Sequence, residues 1–299
     1  MPSIRKLITT AILLASLTAA TAACEEKESH PLAGLPLRSI GPALTSGRVS
    51  DFAFHPQRWE RHYVAMASGN LWKTENNGTT WTPVFDNEGA FAIGVVELDP
   101  GNPNTVWVGT GENNSQRSVG FGDGVYRSLD GGKSWKNMGL KDSGHISMIR
   151  IHPRDSETVW VAAQGPLWNS GGDRGLYRSR DGGESWAKIL DIDPDTGVNE
   201  FVIDPENPDI IVASSYQRRR HVWTLINGGP GSGIHKTTDG GETWRRIDKG
   251  LPEGHMGRIG LAAAAASPGL IYAIVEAEEE DEGVYRSLDF GESWEKRSD

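Results

Sequence analysis

The densest group of chemically capable side chains is a cationic run between two aromatic residues. It consists of Tyr216, Arg218, Arg219, Arg220, His221 and Trp223. Guanidinium groups bind carboxylates through paired donors, and aromatic faces stack on sugars or apolar groups. In a chain of formal net charge -10, this run predicts a socket for an acidic glycan, a peptide terminus or a similar anion. The alternative is an internal ion-pair network, with the acidic residues 276–282 supplying the counter-charge.

Two glycine-rich segments, 111–124 and 164–174, also mix polar and aromatic side chains. They contain Glu112, Asn113, Asn114, Gln116, Arg117, Trp168, Asn169, Asp173 and Arg174. Such mixtures fit a ligand-binding surface, although Gly and Asn also form ordinary turns. We therefore expect part of this set to contact a ligand and part to be scaffold.

The enzymatic reaction that these residue types suggest is glycoside hydrolysis. It needs two carboxyl groups about 5–10 Å apart across the scissile bond. Glu112, Asp142 and Asp173 are the candidate acids, but no spacing in the sequence pairs any two of them. A sialidase would need three convergent arginines, and Arg117, Arg174 and Arg219 are far apart in the chain. The sequence thus favours binding over catalysis and leaves enzyme activity uncertain.

No metal or cofactor site is predicted. Residues 191–197 alternate oxygen ligands like a calcium loop, but they lack Gly at the sixth position and Glu at the twelfth. Residues 228–233 resemble a phosphate loop, but Ile234 stands where Lys is required. The acidic charge also argues against nucleic acid or an anionic membrane surface as a partner.

An internal repeat indicates what positions these residues. An eight-residue motif that ends in Trp recurs five times, at intervals of roughly 50 residues. Its conserved corner and final residues are Asn76 and Trp81, Asp130 and Trp135, Asp181 and Trp186, Asp239 and Trp244, and Asp289 and Trp294. Asp and Gly form the corner of a tight turn, Asn76 can replace Asp there, and the Trp ring packs against its sheet. These residues are therefore predicted to be structural.

Each repeat also contains four strand-like stretches, which in the third repeat are 145–151, 158–163, 175–180 and 186–190. A Pro-containing turn joins the first two stretches of every repeat. Four antiparallel strands repeated around a centre are typical of a β-propeller. The predicted fold is all-β, with blades at about 48–86, 91–138, 145–190, 198–247 and 255–299.

The motif resembles the Asp-box, or bacterial neuraminidase (BNR), repeat. Its arrangement is similar to that of sortilin-type propeller domains and bacterial BNR-repeat glycosyl hydrolases, and residues 109–117 and 216–223 resemble the bacterial group. Xyloglucanases, sialidases and a photosystem assembly factor share the box, so the resemblance implies a fold more strongly than a function. Related propellers usually have six or more blades. The chain is thus either a closed five-bladed ring or, as we favour, the front of a larger propeller, with residues 37–40 as a possible closing strand.

The N-terminal residues 1–23 read as a secretory signal, because a charged start is followed by an apolar run and small residues. Cys24 follows directly and resembles the lipidated Cys of bacterial lipoproteins. Ordinary cleavage that leaves a free thiol is the alternative. Residues 24–40 form a tether ahead of the propeller at 41–299. The expected location is periplasmic, cell-surface or secreted.

The long connections and the blade-to-blade links are expected on one face of the propeller, and the Asp-box and Pro turns on the other. We therefore predict an exported propeller that binds a peptide, protein or glycan on its loop-rich face. The alternative is a sialidase- or xyloglucanase-like glycoside hydrolase. A structural module of a larger surface protein is a third reading.

Overall fold

The computed structural model describes residues 47–114, 119–264, 266–278 and 280–298. The predicted signal, tether, closing strand and Cys24 lie outside these residues, as do Gln116 and Arg117. Each of the five repeats forms its own antiparallel sheet, with strands paired in chain order. The predicted all-β propeller architecture is confirmed.

In the described residues, twenty-one strands make up the five sheets. They are β1 (Val49–Phe54), β2 (His62–Met66), β3 (Asn70–Thr74), β4 (Thr82–Pro83), β5 (Ile93–Leu98), β6 (Val106–Thr110), β7 (Val125–Ser128), β8 (Lys136–Asn137), β9 (Ile146–His152), β10 (Asp155–Ala163), β11 (Gly175–Ser179), β12 (Ala187–Leu190), β13 (Thr196–Ile203), β14 (Ile211–Arg220), β15 (Leu225–Asn227), β16 (Gly233–Thr237), β17 (Arg245–Ile247), β18 (Ile259–Ala263), β19 (Ile271–Val275), β20 (Gly283–Ser287) and β21 (Glu295–Lys296). In the described part of the chain, the helical structure is one 3₁₀ turn at Lys141–Ser143, and no helix there is long and apolar enough to cross a membrane.

The four predicted strands of the third repeat are present, within a few residues, as β9 to β12. The fourth sheet departs from the prediction. There β14 continues past the sheet and pairs with the extra strand β15, with Arg218 opposite Asn227 and Arg220 opposite Leu225. The cationic run therefore belongs to a β-hairpin rather than to a loop.

The Asp-box turns are held by their own side chains. In the third copy, the Ser179 hydroxyl donates to Asp181 (2.7 Å) and accepts the Gly183 amide (2.7 Å). The Asp181 carboxylate also accepts both the amide and the hydroxyl of Ser185. The Ser185 hydroxyl and amide lower the pKa of Asp181 to about 2. These bonds occupy the carboxylate within its own turn. Asn76 makes the equivalent contact, since its Oδ1 accepts the Thr80 amide at 2.9 Å.

The two kinds of turn lie on the same edge of each sheet, as predicted. The Asp-box amides of Gly131, Gly182 and Gly240 donate to carbonyls of the Pro-containing turns, at Asn104, Glu157 and Asp209. These bonds are 2.8 to 2.9 Å long and join turns of the same sheet. The long connections consequently start from the opposite edge.

A repeated bulge joins the innermost strands to one another. At the bulged position of β1, the Ser50 hydroxyl donates to Ile93 O of β5 (2.8 Å). Ser147 of β9 reaches Val198 O of β13 in the same way (3.1 Å). The equivalent Gly94 has no side chain because a Cβ there would lie 2.1 Å from Ile146 O. The bulges thus bring successive sheets together around a common axis.

Apolar clusters fill the space between successive sheets. The Asp-box Trp rings pack across these interfaces. The indole of Trp135 donates to Val84 O of the preceding repeat (2.6 Å), and that of Trp186 donates to Met138 O (2.8 Å). The prediction that each ring packs on its own sheet was therefore incomplete, because these rings fasten one blade to the one before it. Trp81, in the first repeat, is 40% exposed.

Candidate functional site

Three connections emerge from the sheet edge opposite the Asp-box turns. We call the surface formed by residues 111–114, 119–124, 164–174 and 216–233 the loop-rich face. It carries all of the ligand-binding candidates that the structure describes. The hairpin and the third-repeat connection are joined there, because the Arg220 amide donates to Leu167 O at 2.8 Å.

Arg218 lies beneath the loop-rich face and contacts two neighbouring repeats. It is only 2% exposed, although it carries a charge. Its guanidinium donates to the Gln164 Oε1 atom at 3.0 Å and to Asn114 O at 2.6 Å. Because these acceptors belong to the third and second repeats, Arg218 ties three blades together. Its burial removes it from direct contact with a ligand at the surface.

A polar network that the sequence did not reveal surrounds Arg218. The Gln164 amide donates to Asn199 Oδ1 (2.7 Å), which also accepts from Arg258 Nε (3.1 Å). The Asn199 amide donates in turn to Ile259 O (2.9 Å). Gln164 and Asn199 are fully buried. The repeat alignment places Asn199 at the bulge position of Ser50 and Ser147, and that was the one available signal for its role.

The described part of the acidic segment 276–282 does not supply the counter-charge that the internal-network alternative named. The described residues of the acidic segment 276–282 make no ion pair with the cationic run. Arg219 pairs with Asp195 instead, in the link that precedes β13. Glu276 accepts from the Arg258 amide and from the Asn227 side chain. The run is nevertheless engaged in contacts between blades, as the internal-network alternative predicted.

Three further candidates are buried and have internal partners. The Glu112 carboxylate accepts from the Gly120 amide (3.0 Å) and the Asn114 side chain (2.7 Å), and it pairs with Arg48. Arg174 donates to the carbonyls of Gln164, Pro166, Asn169 and Gly171, which form its own connection. Tyr216 is buried, and its hydroxyl donates to Asn227. These buried side chains support the loop-rich face through their internal hydrogen bonds. We therefore assign Glu112 a structural role rather than the role of a catalytic acid.

The two tryptophan candidates are exposed, unlike Tyr216. Trp168 is 54% exposed and Trp223 is 82% exposed. The rings of His221 and Trp223 stack in parallel, with centroids 5.4 Å apart. Phe121, which the sequence analysis did not select, is 80% exposed. Asn113 lies deeper and donates to Ser147 O (3.3 Å).

A cavity of about 270 Å³ lies between the second- and third-repeat connections. Phe121, Trp168, Asn169, Lys141 and Asp142 line it together with backbone of both connections. Asp142 is exposed, and its carboxylate makes no hydrogen bond to another described residue.

Asp173 is hydrogen-bonded to Asp142 at the wall of this cavity. Its carboxylate accepts the amide of Asp142 at 3.0 Å, and its own amide donates to Asp142 O at 3.1 Å. The structure thus brings the two predicted acids Asp142 and Asp173 into adjoining positions. Only Asp142 offers an unengaged carboxylate to the cavity.

Two other cavities are separate from the 270 Å³ cavity, although Asn113 and Asn114 of the loop-rich face line the first of them. One of about 320 Å³ lies on the common axis, where Asp51, Arg150, Glu200 and Arg258 line it. The other, of about 430 Å³, is mainly apolar and lies beside the Pro turns that contain Pro153 and Pro205. The sequence analysis predicted neither cavity.

His145 lies in an environment that disfavours a positive charge on its ring. Its ring is buried at the wall of the 270 Å³ cavity. Burial, with Arg218 and Arg174 nearby, lowers its pKa to about 3. Residues 191–197, the segment that resembles a calcium loop, form a connecting turn in which Asp193 accepts from Thr196 Oγ1 at 2.6 Å. No group of three or more His, Cys, Asp or Glu side chains in the described ranges is arranged to hold a metal ion.

Comparison with known proteins agrees with this architecture. Residues 123–253 match the Sortilin-Vps10 family, described as sortilin, neurotensin receptor 3. The xyloglucanase Xgh74A of Acetivibrio thermocellus is 28% identical over 250 residues, which cover 71% of this chain and 26% of that protein. A xyloglucanase from a Paenibacillus species is 25% identical over 263 residues, with 79% of this chain and 24% of that protein covered. The chain therefore spans about a quarter of the length of these relatives.

Solved structures are similar in fold. An ancestral GH74 enzyme superimposes with a TM-score of 0.64 at 21% identity, covering 84% of this chain and 31% of that one. YCF48 bound to D1 peptide gives a TM-score of 0.55 at 15% identity, covering 88% of this chain and 72% of that one. At such identities the likeness extends to the propeller fold alone.

Proposed function

Because this chain is an Asp-box, BNR-type β-propeller that is similar in sequence to xyloglucanases, we propose that it binds a β-glucan chain on its loop-rich face. The binding site comprises Phe121, Trp168 and the 270 Å³ cavity between them. The tip of the β14–β15 hairpin, with Trp223, extends it. The function is thus carbohydrate recognition outside the cytoplasm.

The observation that carries the proposal is the exposure of aromatic rings around a polar cavity. Phe121 and Trp168 expose more than half of their surface where solvent, not another blade, meets them. Aromatic faces stack on the apolar faces of pyranose rings, while neighbouring polar groups bond the hydroxyls. Asn169, Lys141 and Asp142 provide those polar groups at the cavity wall.

The hairpin supports binding of an extended chain rather than a single sugar. The Arg220–Leu167 hydrogen bond holds the end of the hairpin nearest its turn beside the Trp168 connection. The stacked His221 and Trp223 rings then offer a second aromatic surface on the same face. An occupant with several sugar rings can contact both surfaces, and a glucan polymer has this form.

Hydrolysis of the bound glycan is the second candidate function. One specific observation favours it: Asp142 lines the aromatic cavity, and its carboxylate makes no hydrogen bond to another described residue. Hydrolysis needs a second carboxyl group, and the adjoining Asp173 is the candidate for it among the described residues. The relatives named as xyloglucanases make a β-glucan the first substrate to try.

The test is affinity electrophoresis and calorimetry of the intact protein with xyloglucan, with dextran as the unrelated polymer. We expect binding to xyloglucan, weakened about tenfold by Trp168→Ala or Phe121→Ala, because one stacked ring contributes roughly 1.4 kcal/mol. Leu129→Ala is the matched control, since Leu129 is 63% exposed but lies in an Asp-box turn on the opposite edge. Absence of binding to any β-glucan by the unaltered protein contradicts the proposal.

Reducing-sugar release from xyloglucan tests hydrolysis separately. Asp142→Asn should abolish release while leaving binding within about twofold, because the amide keeps the size of the carboxylate. Binding without release in the unaltered protein removes the second candidate and leaves the first intact.

A further inference from the structure

The edge of the sheets opposite the loop-rich face carries a groove of its own. It consists of the 430 Å³ cavity beside Pro153 and Pro205 and a smaller cavity beside Pro268, and we call it the Pro-turn groove. We propose that the Pro-turn groove binds an amphipathic carboxylate, a molecule with one carboxylate head and an unbranched apolar chain. This site is separate from the glucan site, and its test does not depend on glucan binding.

The two cavities of the groove adjoin each other. The smaller one has a volume of about 110 Å³. Ile203, Pro205 and Ala263 line both cavities. The lining starts in the third repeat, at Trp160, and ends in the fifth repeat, at Phe290. The groove thus crosses three successive repeats, and an elongated occupant follows it better than a compact one does.

The walls of the larger cavity are mainly apolar and already formed. Trp160, Phe201 and Leu261 line it from three neighbouring sheets, and the surrounding core holds each of them at no more than 7% exposure. The exposed Pro153 and Pro205 also line it, and their rings fix the backbone φ angle. A preformed wall lowers the ordering cost of binding. The 430 Å³ equals the liquid volume of roughly 14 water molecules, which accommodates an apolar chain of about ten carbons.

The third-repeat end of the groove carries hydrogen-bond donors. His152 and Arg154 line the larger cavity there. His152 Nδ1 accepts the Arg154 amide at 3.2 Å, so the proton of the neutral ring is on Nε2. Neither this Nε2–H group nor the Arg154 guanidinium bonds to another described residue, whereas Arg150 is paired with Glu97 at 3.1 Å. A guanidinium binds both oxygens of a carboxylate, and the imidazole N–H supplies a further donor.

The acidic side chains near these donors are engaged within their own turns. Asp155 accepts the Thr158 hydroxyl at 2.6 Å, and Asp204 accepts the Glu206 amide at 2.9 Å. Their negative charges still repel a doubly charged head group such as phosphate more strongly than a singly charged one. A carboxylate, with one charge and two acceptor oxygens, is therefore the head group that these donors select.

The overall charge of the chain makes the sign of the ligand informative. The formal net charge is -10, so nonspecific adsorption favours a cationic amphiphile over an anionic one. An anionic amphiphile that binds in spite of this charge does so through local donors. A cation with the same apolar chain is therefore the comparison that separates the site from general adsorption.

Titration calorimetry of the intact protein with decanoate, below the concentration at which it forms micelles, tests the proposal. We expect one-to-one binding, with an affinity that rises about fourfold for each methylene from hexanoate to decanoate. Acetate lacks the apolar chain, and decyltrimethylammonium lacks the carboxylate. Each of these two should bind at least about tenfold more weakly than decanoate.

Two substitutions locate the ligand. Arg154→Gln should weaken decanoate binding about tenfold, while Arg180→Gln, at an exposed arginine in the Asp-box turn of the same sheet, should leave it unchanged. Ala263→Trp fills the point at which the two cavities meet and should abolish binding. Ala187→Trp, at an exposed position of β12 outside the groove, is its matched control. Unaltered melting temperatures establish that the variants fold.

Several results would overturn the proposal. Equal or tighter binding of decyltrimethylammonium would exclude recognition of a carboxylate head. Decanoate binding that both Arg154→Gln and Ala263→Trp leave unchanged would place the ligand elsewhere, and absence of decanoate binding would refute the site altogether. A dimer in sedimentation experiments that Ala263→Trp dissociates would assign the groove to a second copy of this chain instead.

Discussion

Replacement of Arg218 by Met is expected to destabilise the loop-rich face strongly. Arg218 is buried and donates to Gln164 and to Asn114 O, and so it joins three repeats. Met fills much of the same volume with a flexible apolar chain, so the variant removes the guanidinium and its two hydrogen bonds while it keeps much of the packing. Both acceptors then lie in the interior without this donor.

The expected change in the free energy of unfolding follows from the two acceptors that lose their donor. Each buried acceptor that loses its partner costs about 1–3 kcal/mol. Removal of a buried guanidinium recovers part of its desolvation free energy. We therefore expect the free energy of unfolding to fall by about 2–4 kcal/mol in the Arg218→Met variant. At about 2–4 °C per kcal/mol for a domain of this size, the melting temperature should fall by about 4–16 °C.

The assay is thermal and urea unfolding followed by tryptophan fluorescence, with Arg219→Met as the matched control. Arg219 pairs with Asp195, whose side chain is 40% exposed, so its loss should cost at most about 1 kcal/mol. Hydrogen exchange should also accelerate in segments 111–114 and 164–174 of the Arg218 variant alone. Equal effects of the two substitutions, or a shift below about 1 °C for Arg218→Met, would refute the bridging role.

Three other outcomes follow from the structure. Asp181→Ala should lower the melting temperature more than Asp181→Asn does, because Asn76 shows that an amide completes the same turn; thermal unfolding of the pair checks this. Trp186→Phe should lower the free energy of unfolding in urea titrations by at least about 1 kcal/mol, since Phe is a smaller ring that cannot make the hydrogen bond to the preceding blade. Burial lowers the pKa of His145 to about 3, so the unfolded chain takes up a proton below about pH 6.5 while the folded chain does not. Stability should therefore fall as pH drops from about 6.5, by up to about 1.4 kcal/mol per pH unit, and His145→Gln should remove that part of the slope.

The sequence alone was sufficient for the fold because its information is local and repeated. Ser179, Asp181 and Gly183 bond to one another within a few residues, so their types and spacing define the turn without any distant partner. The turn occurs five times, and Pro turns occur at regular intervals between its copies. This repetition predicts four-stranded sheets that stack on one another. The side on which each turn lies followed from the strand order in the same way.

Tertiary structure decided which candidates face a ligand. Glu112, Arg174 and Arg218 look like binding residues in the sequence, yet all three are buried. Arg218 bonds to two distant repeats, whereas Arg174 bonds mainly to carbonyls of its own connection. Trp168, Phe121 and Asp142 meet at one cavity because neighbouring blades place their connections side by side. The burial of a charged or aromatic side chain depends on what packs against it from elsewhere in the chain. Local sequence specifies the turns and strands, but the long-range packing that decides exposure exists only once the blades have assembled.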